Sequence, residues 1–216
     1  MPSPFQCLGA PVSRFTVRRG CIALYETPED LMRLQTLLDE SHASMGEHMR
    51  TILTAERRMT ANELVETLTG MRLLSLATVT ANNEPRVGAV DGHFYRGEFW
   101  FGSAPDSVRF RHIRRRPAVS AVHLVGEALG VTVHGTATLV DVNAPEHKEF
   151  RDYCLELYGD VWLEWGAPAQ YARIEAHRMY TYRWGTKAEP ATAKQSRAAT
   201  PAPGISARAT RLSETS

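Results

Sequence analysis

Two serines and a run of arginines near the middle of the chain are the residues best suited to chemistry. Ser103 and Ser107 flank Pro105 and Asp106, and the nine residues after Ser107 carry five arginines, beginning with Arg109, and one histidine. A serine hydroxyl donates a hydrogen bond, and the arginine fork binds phosphate through two parallel charge-assisted bonds. The spacing also fits a helix start, with a hydroxyl that can cap and Pro in the first turn. The stretch therefore predicts an anion site at the start of a helix.

The residues on both sides of this stretch read as short strands joined by turns. Asn and Pro interrupt the first pair of strands, and Arg96-Gly97 interrupts the second pair. Strands joined by turns are antiparallel neighbours, and six of them can close into a small barrel that leaves no exposed edge. The predicted strands are Leu73–Thr80, Arg86–Tyr95, Glu98–Gly102, Ala118–Val125, Leu129–Asp141 and Tyr171–Trp184.

Several short helices are predicted around these strands. Thr27 and Pro28 form a helix start, and leucines at helical spacing follow on one face. A capping box at Thr60 opens a short helix that enters the first strand, and a further helix runs from Asn143 to Tyr158. The strand from Leu129 is the clearest in the chain, with its apolar residues alternating with threonines and a histidine. The apolar residues assigned to its core side are Leu129, Val131, Val133, Ala137 and Leu139.

The composition is that of a globular chain with few cysteines. Of the 216 residues 43% are hydrophobic and 23% charged, and the net charge of +1 gives no global attraction to nucleic acid or membrane. No apolar run is long enough to span a membrane. Cys7, Cys21 and Cys154 lack metal-binding spacing, so a cytoplasmic location is expected. We expect an arm and helical extension at 1–59, a barrel domain at 60–185 and a disordered tail at 186–216.

The order of strands and turns that leads into Ser-Val-Arg-Phe-Arg-His-Ile-Arg-Arg-Arg-Pro-Ala-Val resembles the pyridoxamine 5′-phosphate oxidase-like FMN-binding split-barrel family. The resemblance runs from Thr60 to Gly185. It implies a mainly β (α+β) fold, a six-stranded antiparallel split β-barrel of Greek-key type with short flanking helices. It also implies a homodimer, with a cofactor at the interface. The helix from Pro28 and the strand from Leu129 agree with this, because both offer more apolar surface than one small barrel needs.

The resemblance also implies which residues meet the cofactor. Family members often carry a serine and a basic residue, usually lysine, where Ser107 and Arg109 stand. The segment from Arg86 corresponds to the strand along the flavin ring, although a glycine there also fits a plain strand bulge. An aromatic residue at the position of Trp184 often borders the flavin, with ordinary barrel packing as the alternative. The implied cofactor-binding residues are Arg86, Val87, Gly88, Ala89, Phe101, Gly102, Ser103, Ser107, Val108, Arg109 and Trp184.

The function implied is that of an FMN-binding oxidoreductase that transfers hydride to or from a small molecule. An F420-dependent reductase and a non-catalytic binder of haem or another tetrapyrrole are the alternatives. True pyridoxamine 5′-phosphate oxidase activity is not expected, because the arginine- and histidine-bearing substrate motif of that enzyme has no match after Met179. No acid–base residue is predicted.

Two other readings of the basic and imidazole side chains are weaker. The arginines from Arg111 to Arg116 resemble a nucleic-acid patch, but Phe110 is the one aromatic ring next to them and the net charge is near zero, so a solvated helix end or a second anion site is favoured. The histidines are scattered without helical spacing, so no metal site is predicted.

Overall fold

A computed structural model of the chain describes residues 25–184. Six strands and six α-helices account for most of this segment. The strands are β1 (Met71–Val79), β2 (Pro85–Tyr95), β3 (Glu98–Ser103), β4 (Ala118–Val125), β5 (Leu129–Val140) and β6 (Gln170–Arg183). The helices are α1 (Pro28–Ala43), α2 (Glu47–Ile52), α3 (Ala61–Thr67), α4 (Val108–Ile113), α5 (Lys148–Tyr158) and α6 (Trp162–Trp165). The predicted arm before Tyr25 and the predicted tail lie outside the described residues.

The six strands close into an antiparallel barrel in the order β1-β2-β3-β6-β5-β4, which confirms the predicted fold class. Their boundaries agree with the sequence prediction to within two residues. Alternation places Val131 and Val133 of β5 fully inside, while Thr132 and His134 between and beside them face outward. Leu139 was predicted to face the core, but it lies near the end of β5 and is 36% exposed.

A β-bulge bends the barrel where β5 meets β6. His134 pairs with Arg178 and Gly135 pairs with Ala176, so His177 is the extra residue of β6. A Cβ atom on Gly135 would lie 2.2 Å from the backbone oxygen of Glu175. Only glycine fits this approach of two backbones.

Helix α1 closes one side of the barrel core. Thr27 and Asp30 form the capping box at its start, which confirms the predicted position. The buried side chains of Leu34 and Leu38 belong to the same hydrophobic cluster as the barrel interior. The hydroxyl of Ser41 accepts a hydrogen bond of 2.9 Å from the backbone N–H of Met179. Leu34 and Leu38 are therefore covered within the chain, whereas Met32 on the same helix is 65% exposed.

A second hydrophobic cluster lies between α5, α6 and the outer face of the barrel. Phe150 stacks on Trp100 with ring centroids 4.3 Å apart. The segment between α5 and β6 contains α6, and Trp162 in that helix is fully buried. Its indole N–H donates a hydrogen bond of 3.1 Å to the hydroxyl of Tyr171. This cluster fixes β3 and β6 from outside.

Strand β2 is longer than its neighbour β3, so part of its edge lacks a pairing strand. It pairs with β1 from Pro85 to His93, whereas it pairs with β3 only from Gly92 to Tyr95. Within the described part of the chain, the edge of β2 from Pro85 to Asp91 has no second strand. Backbone N–H and C=O groups along this edge are therefore left for other partners.

The helix predicted to start near Ser103 begins later. Ser103 is the last residue of β3, and the N–H of Ser107 donates to the carbonyl of Ala104 at 3.0 Å. Pro105 thus occupies the second position of a β-turn, which its fixed φ suits as well as it suits a first helical turn. Ser107 is the residue before α4, and its hydroxyl makes no capping bond. Since α4 has only 6 residues, its dipole is a minor contribution to any anion site.

Candidate functional site

The open edge of β2 and the start of α4 lie side by side, and the gap between them is referred to below as the cleft. The guanidinium of Arg109 crosses this cleft and donates a hydrogen bond of 3.0 Å from Nη2 to the backbone carbonyl of Ala89. The contact joins α4 to the part of β2 that has no strand beyond it. A strand edge with free peptide groups, next to a fixed arginine, can hold a flat polar ring and an attached anion.

Gly88 leaves the space that the Arg109 side chain uses. A Cβ atom on Gly88 would lie 3.7 Å from Nη2 of Arg109, which is an ordinary contact. A longer side chain would reach into the guanidinium itself. The arginine therefore limits the size of the side chain at this position, and the regular pairing of Gly88 with Leu76 shows no backbone bulge.

Arg109 is a half-buried cation without a carboxylate partner. Burial lowers the pKa of its guanidinium, and the Asp91 carboxylate acts in the opposite direction. No ion pair links Arg109 to any acid among residues 25–184. Arginine stays charged at all ordinary pH values. The cleft thus holds a positive charge that an anionic ligand would neutralise.

The hydroxyl of Ser107 provides independent support for a ligand. Its Oγ atom is buried and has no hydrogen-bond partner within the described residues. Leaving such a group unsatisfied costs about 1–3 kcal/mol, so native proteins seldom do so without a reason. Ser107 precedes Arg109 by two residues at the start of α4, so the unsatisfied hydroxyl lies close in the chain to the arginine.

The outer face of β1 and β2 around Ala89 carries small side chains. Ser75 of β1 pairs with Ala89 of β2, and Ala77 pairs with Val87. Ser75 and Ala89 are exposed and Ala77 is half-buried, so all of them lie on the outer side of the sheet. Side chains of this size leave a low, flat surface on which a planar ring can rest.

The structure therefore brings three of the predicted cofactor residues together, namely Gly88, Ala89 and Arg109, and Ser107 lies two residues before Arg109 in the chain. Val87 is the neighbour of this group on the exposed face, and 70% of its side chain is accessible. Arg86 is exposed and forms an ion pair of 2.7 Å with Glu84 in the turn between β1 and β2.

The predicted residues at the end of β3 have mainly structural contacts. Phe101 is fully buried and its ring stacks on Phe110 at 5.9 Å, inside the barrel core. Gly102 faces the ring of Tyr171, which a Cβ atom would approach to 2.9 Å. Ser103 is half-buried at the strand end.

Val108 and Trp184 do not join the cleft in one chain. Val108 is exposed and lines a separate pocket with the arginines that follow it. The side chain of Trp184 is 61% exposed, and the backbone N–H of this residue donates a hydrogen bond of 2.9 Å to the carbonyl of Ala128. The guanidinium of Arg57 lies 4.6 Å from the centre of its indole ring. Since β6 pairs with β3 only through residues 170–174 at its other end, Trp184 is far along the strand from the cleft.

The open edge of β2 was not predicted from the sequence. The signal for it was present, because the second predicted strand has ten residues and the third has five. A hairpin of such unequal strands must leave part of the longer one unpaired. Asp91, whose carboxylate acts on the arginine, was also missed, because it lies among apolar strand residues without a motif.

The histidines serve as hydrogen-bonding residues in the structure. His112 bonds to the hydroxyl of Thr78 at 2.9 Å, His123 to the carbonyl of Leu73 at 3.0 Å, and His134 to Ser120 at 2.7 Å. Residues 25–184 contain no group of three or more His, Cys, Asp or Glu side chains arranged to hold a metal ion. No helix in this segment is long and apolar enough to cross a membrane.

Comparison with protein families identifies the barrel. The family model of pyridoxamine 5′-phosphate oxidase matches residues 60–184, which is more than half of the chain. The chain belongs to the pyridoxamine 5′-phosphate oxidase-like split-barrel family. The match covers all six strands and both sides of the cleft, which confirms the resemblance seen in the sequence.

Solved structures share the fold at low sequence identity. A conserved hypothetical protein of Mycobacterium tuberculosis aligns with a TM-score of 0.51 and 22% identity, over 64% of this chain and 98% of the other. A FAD-binding protein of Mesorhizobium loti aligns with a TM-score of 0.47 and 21% identity, over 60% and 98% of the two chains. A heme storage protein of Vibrio cholerae aligns with a TM-score of 0.48 and 17% identity, over 56% of this chain and 93% of the other. A comparison with curated protein sequences gave no match.

Proposed function

We propose that this member of the split-barrel family binds FMN in the cleft between β2 and α4. The observation that carries the proposal is the pair formed by the unsatisfied hydroxyl of Ser107 and the unpaired charge of Arg109. The phosphate of FMN is a dianion with several acceptor oxygens, so it suits both groups. Membership of the family supports the same assignment.

The chain's own residues would hold and orient the cofactor. Ser107 and Arg109 bind the phosphate, and the open edge of β2 offers backbone donors and acceptors to the polar rim of the ring. Ser75 and Ala89 let the ring lie flat against the sheet. FMN, when bound, supplies hydride transfer, and the protein supplies position and electrostatics. We therefore propose an oxidoreductase that acts on a small molecule.

The proposed active form is a homodimer with the cofactor between the subunits. Apolar side chains are exposed on the outer face of β1, β2 and β4, where Leu73 is 56%, Val87 70% and Leu124 62% accessible. Large apolar side chains exposed together on one face are typical of an interface. A second copy would also supply an aromatic residue such as Trp184, which one chain leaves exposed.

The deazaflavin F420 is the second candidate. Its ring would lie on the same surface at Ser75 and Ala89. The arginines beyond Arg109 favour a cofactor with a longer anionic tail. The absorbance spectrum of the protein purified from its native host tests both assignments. A flavin spectrum supports FMN, a deazaflavin spectrum supports F420, and a haem spectrum contradicts both.

A further inference from the structure

The arginines that follow the cofactor cleft line a pocket of their own. Its cavity measures about 370 Å³ and lies between α4, the residues after it and the turn between β1 and β2. The proposed FMN site does not use this pocket, because Arg109 and Ser107 are not part of its wall. The lining residues are Ala81, Val108, Arg111, His112, Arg114, Arg115 and Arg116.

No carboxylate neutralises these arginines. Every ion pair among residues 25–184 involves other cations. Asp106, the nearest acid in the sequence, offers Arg111 its backbone carbonyl and not its carboxylate. Four like charges around one cavity repel each other, and this repulsion is relieved when a multiply charged anion binds.

Backbone carbonyls hold three of the four guanidiniums in place. Arg111 donates to Asp106 at 3.3 Å, Arg114 to Pro105 at 3.0 Å and Arg116 to Ala81 at 2.9 Å. Each bond uses one N–H group of a guanidinium that has five, so most donors stay available. The side chain of Arg115 makes no hydrogen bond or ion pair within the described residues. The pocket is thus positioned for an anion before the anion arrives.

The imidazole of His112 is fixed on one side of the pocket. Its Nδ1 atom hydrogen-bonds to the hydroxyl of Thr78 at 2.9 Å, and its Nε2 atom has no partner among residues 25–184. No aromatic side chain other than this imidazole lines the cavity, and Phe110 on the same helix is fully buried. A stacking platform for bases is therefore missing, which argues against single-stranded nucleic acid.

We propose that this arginine pocket binds a polyphosphate group, as found in inorganic tripolyphosphate or a nucleoside triphosphate, in addition to the cofactor in the cleft. Adjacent phosphates carry several charges in a compact volume, which matches the number and closeness of the guanidiniums. Arginine forks recognise phosphate oxygens in pairs. The site takes its ligand whether or not the cleft is filled.

Calorimetric titration of the purified full-length protein with inorganic tripolyphosphate tests the proposal. We expect saturable binding that weakens as salt rises. The double variant Arg114→Gln and Arg115→Gln should bind at least about tenfold more weakly, since two charge-assisted contacts are lost. Arg50→Gln is the matched control, because Arg50 is exposed on α2 and its side chain bonds only to the carbonyl of Ala43.

Binding of tripolyphosphate should be the same in protein saturated with FMN and in protein free of it. Absence of saturable binding at low salt overturns the proposal, and so does equal weakening by Arg50→Gln. Loss of binding on saturation with FMN would place the arginines in the cofactor site instead. A single-stranded oligonucleotide that binds far more tightly than tripolyphosphate would also overturn it.

Discussion

The guanidinium of Arg109 and the carbonyl of Ala89 are 3.0 Å apart, although 20 residues separate them in the chain. This hydrogen bond ties the start of α4 to the one stretch of β2 that has no outer strand. The bond holds the guanidinium of Arg109 beside the open edge of β2. The other N–H groups of the guanidinium have no hydrogen-bond partner among residues 25–184. The predictions for the cleft follow from this arrangement.

Ser107→Ala should act in opposite directions on stability and on cofactor affinity. The hydroxyl is buried and has no hydrogen-bond partner among residues 25–184, so its removal should leave the stability of the protein without FMN unchanged or raise it by about 1 kcal/mol. The same change should weaken FMN binding by about tenfold. Urea unfolding of the FMN-free protein measures the change in stability, and an FMN titration measures the change in affinity. A loss of stability with unchanged FMN affinity would show that Ser107 is structural.

Gly88→Leu should weaken FMN binding by about the same factor as loss of the Arg109 side chain. A leucine at this position would occupy the space of the guanidinium, because a Cβ atom on residue 88 would already lie 3.7 Å from Nη2 of Arg109. Gly88→Ala is the matched control and should bind FMN nearly as well as the native protein. Far-ultraviolet circular dichroism checks that both variants fold. Equal affinities for the two variants would contradict the role given to this glycine.

Placing a charge on the exposed apolar face should separate the subunits. Leu73→Glu combined with Leu124→Glu puts two carboxylates into the proposed interface, where they would be desolvated on association. Light scattering should then give the mass of one chain, whereas the native protein gives that of two. Leu163→Glu is the control, because Leu163 is 41% exposed on α6, away from these strands. A native protein that is monomeric with cofactor bound would refute the dimer.

His93 should make the fold sensitive to mild acid. Its side chain is 3% exposed, and burial lowers the pKa of the imidazole from 6.5 to about 4. Its ring nitrogens lie 3.3 Å from the hydroxyl of Tyr153 and 3.4 Å from that of Tyr158. As pH falls through 6.5, the imidazole of His93 is protonated in the unfolded chain but stays neutral in the folded chain. The contribution of His93 to the free energy of unfolding is therefore fully present above pH 6.5 and is lost between pH 6.5 and 4.

The expected loss between pH 7 and pH 5 is about 2 kcal/mol in the free energy of unfolding. Urea unfolding at both pH values measures it. Burial also lowers the pKa of His42, so the effect of His93 must be isolated by comparison with His93→Gln. That variant should lose about 2 kcal/mol less over the same range. Parallel pH profiles of the two proteins would mean that His93 is protonated without cost.

Much of the fold could be predicted from the sequence, because local signals and the final packing agree. The capping box at Thr27 and the apolar alternation around Val131 are both present in the structure. The start of α4 was misplaced because Pro105 suits a β-turn and a helix equally well. The bond from Ser107 to Ala104, which closes the turn at the end of β3, decides between the two.

The cleft itself could be predicted only in part. The residue types of Ser107 and Arg109 indicated an anion site, but the reason for Gly88 became visible only when α4 was placed against β2. The position of Trp184 also depends on tertiary structure, since nothing in its neighbours shows which end of the barrel it reaches. Strand pairing over long distances determines both relationships, and local spacing does not encode it.

The central claim is that Arg109 binds the phosphate of FMN. The most direct test is a fluorescence titration of FMN into cofactor-free Arg109→Ala, with Arg50→Ala as the control. Loss of a charge-assisted hydrogen bond, worth about 1.5–3 kcal/mol, predicts an affinity lower by about tenfold to a few hundredfold. The fold should be retained, and Arg50→Ala should bind as the native protein does. Equal affinity of all three proteins for FMN would contradict the claim.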